Sequence, residues 1–228
     1  MKKVIVISGG SQGLGKAIAK ELSSKHTVII LARTEKTLQA AAQELGCIGL
    51  PCDVTNEESV TRTVRHIIDT HKGIDCVINN AGVWTTGPLE EMSLKDIRES
   101  LEVNVLGTIL LTRAVLPHMK AKRNGLVINI NSLAGLSAKK ERTIYNTSKW
   151  AITGFTRCLQ EEVSADNIRV TGIHPGKMKT DIFAKAGVKG MDFGNALEPE
   201  AVARVVSLVV ETDAPVLFPE ISIKHIAQ

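Results

Sequence analysis

The sequence predicts an α/β protein with a doubly wound, parallel sheet of about seven strands and helices on both faces. Three observations lead there. Strand-like and helix-like segments alternate from one end to the other. The strand-like runs are apolar on both faces, as buried parallel strands are. A glycine-rich stretch lies between the first strand and the first helix, where such sheets hold a dinucleotide.

Each element is justified in turn. "VIVIS" (Val4 to Ser8) is a short, β-branched apolar run and reads as the first strand. "KAIAKELSSK" follows with Ile18, Ala19 and Leu22 at helical spacing. "TVIILA" is a second strand, and "EKTLQAAAQELG" a second helix stopped by Gly46. "CIGLPCDV" is the third strand region. "TNEESVTRTVRHIIDTH" opens with an expected capping box from Thr55 to Glu58 and sets Val60, Val64, Ile67 and Ile68 on one face. "DCVINN" is strand four. A long helix is expected from Ser93 to about Lys122, weakened at Gly107 and bent at Pro117. "LVININ" is strand five, Tyr145 to about Val163 a helix, "IRVTGIH" strand six, "EPEAVARVVSLVVE" a helix with Pro199 in its first turn, and "EISIKHI" a short seventh strand.

Composition narrows the function classes. A 43% hydrophobic, 23% charged chain of 228 residues is expected to form one globular domain over 1–228. A net charge of +4 is spread along the chain, and 3% aromatic content leaves few stacking platforms, so no nucleic acid is expected. The apolar N-terminal run is too short for a signal peptide or a membrane span. The four cysteines form no CxxC pair, which points to reduced thiols in the cytoplasm, with Cys76 a core residue and no metal site.

"SGGSQGLG" carries Gly9, Gly13 and Gly15 in the spacing GxxxGxG. Glycine there permits a tight turn and close approach of a pyrophosphate to a helix N-terminus. This makes the fold Rossmann-type. Strand two ends in "LART", so Arg33 with Thr34 stands where NAD sites often carry an acid; a guanidinium there pairs with a 2′-phosphate and points to NADP rather than NAD.

The chain has one tyrosine, in "YNTSKW". With 28 Lys and Arg among 228 residues, a basic residue four places after a tyrosine arises by chance about one time in eight, so Tyr145 and Lys149 alone prove little. The surrounding landmarks decide. "SGGSQGLG" is similar to TGxxxGxG with Ser8 for Thr; "CDV", "NNAG" (Asn79 to Gly82), "EVNVLGT", "INSLAG", "YNTSK" and "HPGKMKT" follow in order. Together they resemble the short-chain dehydrogenases/reductases over nearly the whole chain.

The resemblance implies catalytic roles for Asn104, Ser132, Tyr145 and Lys149. It implies cofactor contacts from Gly9, Ser11, Gly13, Leu14 and Gly15; from Arg33 and Thr34; from Asp53, on the adenine, and Val54; from Asn80, Ala81 and Gly82; from Tyr145 and Lys149; and from Pro175, Gly176, Met178 and Thr180. It implies NADP (NADPH), a small carbonyl or alcohol substrate, a short substrate lid near 181–197, and a homodimer or homotetramer. Physically, Lys149 one helical turn from Tyr145 is expected to favour the phenolate, and Ser132 to orient the substrate oxygen. Asn104, similar to the family residue that holds a relay water, is a poor helix former.

The chain departs from the family pattern at its end, "VLFPEISIKHIAQ", where many members carry a Gly-Gly-containing strand. Trp84, Ile144, Met178 and the segment Ser132 to Ser137 are expected near the reacting carbon and imply a hydrophobic carbonyl compound. Trp84 serves equally as core. The lid sequence carries few bulky groups to define a pocket. Lys139, Lys140 and Arg142 either meet an anionic substrate or acyl carrier or form a solvated loop. His174 reads as structural. Apolar residues on two helices (Leu106, Ile109, Leu110, Leu111 and Trp150, Ile152, Phe155, Leu159) are expected to exceed one core-facing stripe and to pair subunits. The rival class is a non-catalytic NADP-sensing regulator on the same fold.

Overall fold

A computed structural model describes residues 2–188, 190 and 192–227. The strands are β1 (Val4–Ser8), β2 (Thr27–Ala32), β3 (Ile48–Pro51), β4 (Cys76–Asn79), β5 (Gly125–Ile130), β6 (Ile168–Pro175) and β7 (Glu220–Ile223). They form one sheet in the order β3-β2-β1-β4-β5-β6-β7, parallel throughout. The chain winds outward from β1 in one direction and from β4 in the other. The switch between β1 and β4 opens a crevice at their carboxyl ends.

The helices are α1 (Gly13–Ser23), α2 (Glu35–Leu45), α3 (Glu57–His71), α4 (Leu94–Leu101), α5 (Gly107–Lys122), α6 (Thr143–Val163), α7 (Ile182–Lys185) and α8 (Pro199–Glu211). Alternation along β1 sets the two layers: Ile5 and Ile7 face one core, Val6 the other. The first core takes Ile18 and Leu22 of α1, Leu38 of α2, and Val202, Val206 and Val209 of α8. The second takes Val64 and Ile67 of α3, Val115 and Met119 of α5, and Leu159 and Val163 of α6. Each fully buried Val, Leu or Ile contributes about 1.5–3 kcal/mol.

Three local expectations change. Asn56, not Thr55, caps α3: its Oδ1 accepts from Ser59 N at 2.8 Å. Thr55 instead donates its hydroxyl to Asp53 Oδ1 at 2.8 Å, a shorter reach from its position. The long helix expected from Ser93 begins with Ser93 as its cap, but is interrupted by a wide π-turn at Glu102–Leu106, just before Gly107. Gly107 is required there because a Cβ would lie 2.8 Å from Val54 Cγ2. Pro117 is accommodated within α5. The stretch Leu94–Lys122 is long and apolar enough to cross a membrane by length and composition; half of its apolar window is buried in the fold.

The expected apolar excess also shrinks. Leu110, Leu111, Ile152 and Leu159 lie in the core, because the interior of the sheet layer claims a wider stripe than spacing alone assigns. Leu106 and Trp150 remain exposed, Trp150 by 51%.

Between the sheet and α5 and α6 runs a buried polar ladder. Asn79 Nδ2 donates to Thr112 Oγ1 (2.9 Å) and to Asn129 Oδ1 (2.8 Å); Asn129 Nδ2 donates to Thr156 Oγ1 (2.9 Å). Asn131 Nδ2 donates to Thr153 Oγ1 (2.9 Å). Directional bonds in a dry layer fix the rotation of α6 on the sheet, and α6 carries Tyr145 and Lys149.

Candidate active site

The glycine turn leaves β1 and enters α1 at Gly13. Gly9 (φ 65°) and Gly13 (φ 54°) sit in the left-handed region, which glycine enters freely. A Cβ on Gly15 would lie 2.3 Å from Gly9 O, so the helix is pressed against the turn. The turn is locked to the end of β4. Ser8 Oγ accepts from Asn80 N (3.0 Å) and Ala81 N (3.1 Å), so serine supplies all that is needed of the usual threonine. Asn80 Nδ2 donates back to Ser8 O at 2.9 Å and Gly9 O at 3.2 Å. A backbone cradle at a helix N-terminus, too narrow for side chains, fits a pyrophosphate.

The remaining residues expected at the nucleotide follow the carboxyl ends of the neighbouring strands. Arg33 and Thr34 follow β2, both exposed, and Arg33 has no acidic partner among the described residues. Asp53 follows β3 and is oriented by Thr55 and by its own N–H, which donates to Ser59 Oγ at 3.2 Å. Ser11 and Leu14 are buried beneath the turn, and Val54 packs on Gly107. Gly82 lies beside Asn104. Pro175 ends β6; Gly176 N donates to Ile223 O of β7 at 2.7 Å. Thr180 N donates to Met178 O at 3.0 Å, and the Thr180 side chain lies beside Gly13. The fold thus brings the predicted cofactor residues from five loops, and from α6, to the carboxyl end of the sheet.

The four residues with expected catalytic roles meet above the end of β5. Tyr145 is 8% exposed and Lys149 6%. Lys149 Nζ donates to Ile130 O at 3.3 Å and lies 5.8 Å from the centre of the Tyr145 ring. Ser132 faces the phenol, and its Oγ accepts from Ala134 N at 3.1 Å. Asn104, 1% exposed, stands in the π-turn and reaches both Val83 and Ser148.

The electrostatics differ from the expectation that Lys149 favours the phenolate. Burial pushes the Tyr145 phenol above its ordinary value, and the Ser132 hydroxyl and the Arg142 guanidinium only partly offset this. Burial also lowers Lys149 to about 8, with no offsetting charge among the described residues. His174 is 1% exposed, with its Nδ1 3.2 Å from Ser132 O.

The pocket wall is more aromatic than the sequence suggests. Trp84 meets Tyr145 edge-on at 6.3 Å and Phe183 at 5.0 Å; Phe193 lies 6.1 Å from Phe183. The segment expected as a lid, 181–197, therefore does carry bulky groups: Phe183 of α7 meets Trp84, and Phe193 lies against Phe183. Lys189 and Met191 of that lid lie outside the described residues. Phe183 and Phe193 were missed; their signal was that a chain with seven aromatic residues, four of them Phe, spends two Phe in one short loop.

Comparison with known proteins agrees with this geometry. A family model described as short chain dehydrogenase matches residues 3–189. Carbonyl reductase family member 4 of Xenopus laevis is 34% identical over 218 residues, covering 93% of this chain and 92% of that protein. The alcohol dehydrogenase of Thermococcus sibiricus complexed with 5-hydroxy-NADP superposes with a TM-score of 0.89 at 27% identity, covering 100% and 98% of the two chains. The closed form of a serine dehydrogenase complexed with NADP+ gives a TM-score of 0.91 at 27% identity, covering 99% and 96%. The chain belongs to the short-chain dehydrogenase/reductase family, oxidoreductases that act on carbonyl or alcohol groups with a nicotinamide cofactor.

Proposed function

We propose that this protein reduces a ketone, aldehyde or 3-oxoacyl group to an alcohol with NADPH. The observation that carries the reading is the buried phenol of Tyr145, faced by the Ser132 hydroxyl and with the buried Lys149 ammonium 5.8 Å from its ring centre. NADPH, which the Gly9–Gly15 turn and Arg33 would hold, would supply the hydride for the carbonyl carbon. Ser132 Oγ accepts from Ala134 N, which leaves its own hydrogen to donate to the substrate oxygen. Tyr145, kept protonated by its raised pKa, gives its proton to that oxygen as the negative charge develops. The Ser132 hydroxyl and the Arg142 guanidinium favour the phenolate that remains, and the proton is regained from water. The sum is carbonyl plus NADPH plus one proton to alcohol plus NADP+.

Preference for NADPH is supported by Arg33, exposed after β2 and without an acidic partner among the described residues, and by the two superposed structures that hold NADP or its derivative. Self-association is supported by exposed Leu101, Leu106 and Trp150 near the α4–α6 contact. The test is NADPH oxidation followed by absorbance with a panel of aldehydes, ketones and quinones. Turnover of at least one class is expected. Tight NADPH binding with no turnover of any of them would favour the regulator.

A further inference from the structure

Three basic residues, Lys139, Lys140 and Arg142, precede the catalytic tyrosine, and the structure separates them. Lys139 and Lys140 are exposed, and Lys140 pairs with Glu141 at 3.6 Å. Arg142 turns inward. Glu141 takes a left-handed backbone conformation (φ 61°), which few non-glycine residues adopt. Its carbonyl is held twice, accepting from Thr86 Oγ1 at 2.8 Å and from Gly87 N at 2.9 Å. The loop is thereby pinned to the segment that follows Trp84. Arg142 O is fixed in turn by Asn146 N at 2.8 Å, in the first turn of α6. The result is a half-buried guanidinium 5.6 Å from the centre of the Trp84 ring, on the wall that touches Tyr145.

No carboxylate pairs with Arg142 among the described residues. The cation is close enough to Tyr145 to act on the phenol. A strained turn and two clamping bonds that deliver an unpaired guanidinium to a pocket are a poor use of a surface arginine. They suit a planar anion, which a guanidinium grips through two parallel N–H groups. The apolar walls, Trp84 and Phe183, favour a flat body between that anion and the reacting carbonyl.

We propose that the site selects flat, apolar carbonyl compounds bearing a carboxylate, with Arg142 as the anchor for the carboxylate. This rests on the carbonyl-reductase reading above and adds the substrate class to it.

The test compares 4-formylbenzoate with its methyl ester, which share one carbonyl and one ring and differ in the charge. In the unmodified protein kcat/KM is expected to favour the acid by about tenfold to a hundredfold. Arg142→Met is expected to abolish that ratio, whatever happens to the ester's own rate. Arg142→Lys should keep part of it, and Lys139→Met should leave it within about twofold. The flexible 4-oxobutanoate should be poorer than 4-formylbenzoate by about tenfold. A ratio near one in the unmodified protein, or an equal loss on acid and ester in Arg142→Met, would overturn the assignment; the latter would make Arg142 a residue that acts through Tyr145. Titration calorimetry on the Tyr145→Phe protein with NADPH separates this from the chemistry. If neither these aldehydes nor any other member of the carbonyl panel is turned over, the reductase reading fails, yet tighter binding of the acid than of the ester still supports the anchor. Equal binding refutes it.

Discussion

The amide of Asn104 closes on the backbone of Val83 from both ends: Oδ1 accepts from Val83 N at 2.8 Å, and Nδ2 donates to Val83 O at 2.9 Å. Nδ2 also donates to Ser148 Oγ at 3.0 Å, one residue before Lys149. The side chain ties the end of β4 to α6. Asn104→Ala leaves these buried groups unpaired and is expected to lower stability by about 2–4 kcal/mol, read as a shift in the urea midpoint. A variant as stable as the parent would show that the tie is dispensable.

Removal of one oxygen tests the chemistry. Tyr145→Phe is expected to lower kcat by at least about a hundredfold while NADPH binding stays within about threefold. Retention of more than a tenth of kcat would assign the proton transfer elsewhere.

Lys149 carries a pH signature. Its pKa falls from 10.5 to about 8 on folding, so its burial opposes folding by up to about 3 kcal/mol near neutrality. Between pH 8 and 10.5 the unfolded chain binds the proton and the folded protein does not, so stability rises with pH through that window. Lys149→Met should therefore melt higher than the parent at pH 7 without cofactor, and its advantage should narrow toward pH 10. It should also be inactive. An advantage that stays constant with pH would mean that burial does not shift the lysine's pKa.

Cofactor choice is expected to hang on Arg33. NADPH should bind about tenfold to a hundredfold more tightly than NADH, and Arg33→Asp should reverse the order, read by fluorescence titration. Equal affinities in the parent would sink the reading of "LART".

Light scattering at micromolar concentration should give a multiple of the 24.6 kDa chain mass. Trp150→Glu, which places a charge in the exposed apolar patch, should shift the particle toward one chain. A parent already at one chain mass would refute self-association and leave the chemistry as it stands.

The fold was legible because its signals are local. Apolar runs, caps and the glycine spacing each lie within a few residues, and all seven strands were placed. The Tyr145–Lys149 pair is one helical turn in sequence and in space. What was not legible depends on contacts between distant segments. The pairing of Asn129 with Thr156 and of Asn131 with Thr153 joins the end of β5 to a helix more than twenty residues away, and spacing records nothing of it. Phe183 became part of a pocket only through Trp84. The direction of the Tyr145 shift was misjudged for the same reason, since desolvation is a property of everything packed around a group and spacing records only its neighbours.

The π-turn at Glu102–Leu106 makes the residue count of this helix a functional quantity. Gly107 N reaches back five residues to Glu102 O, where an ordinary turn reaches four. Deleting one residue here would not shorten a loop; it would restore a regular helix. Everything before the deletion would then rotate by about 100° against everything after it. Either Asn104 would swing away from Val83, or the core side of α5 would turn outward. An alignment gap at this point, trivial in a surface loop, would mark a chain that has changed what it does.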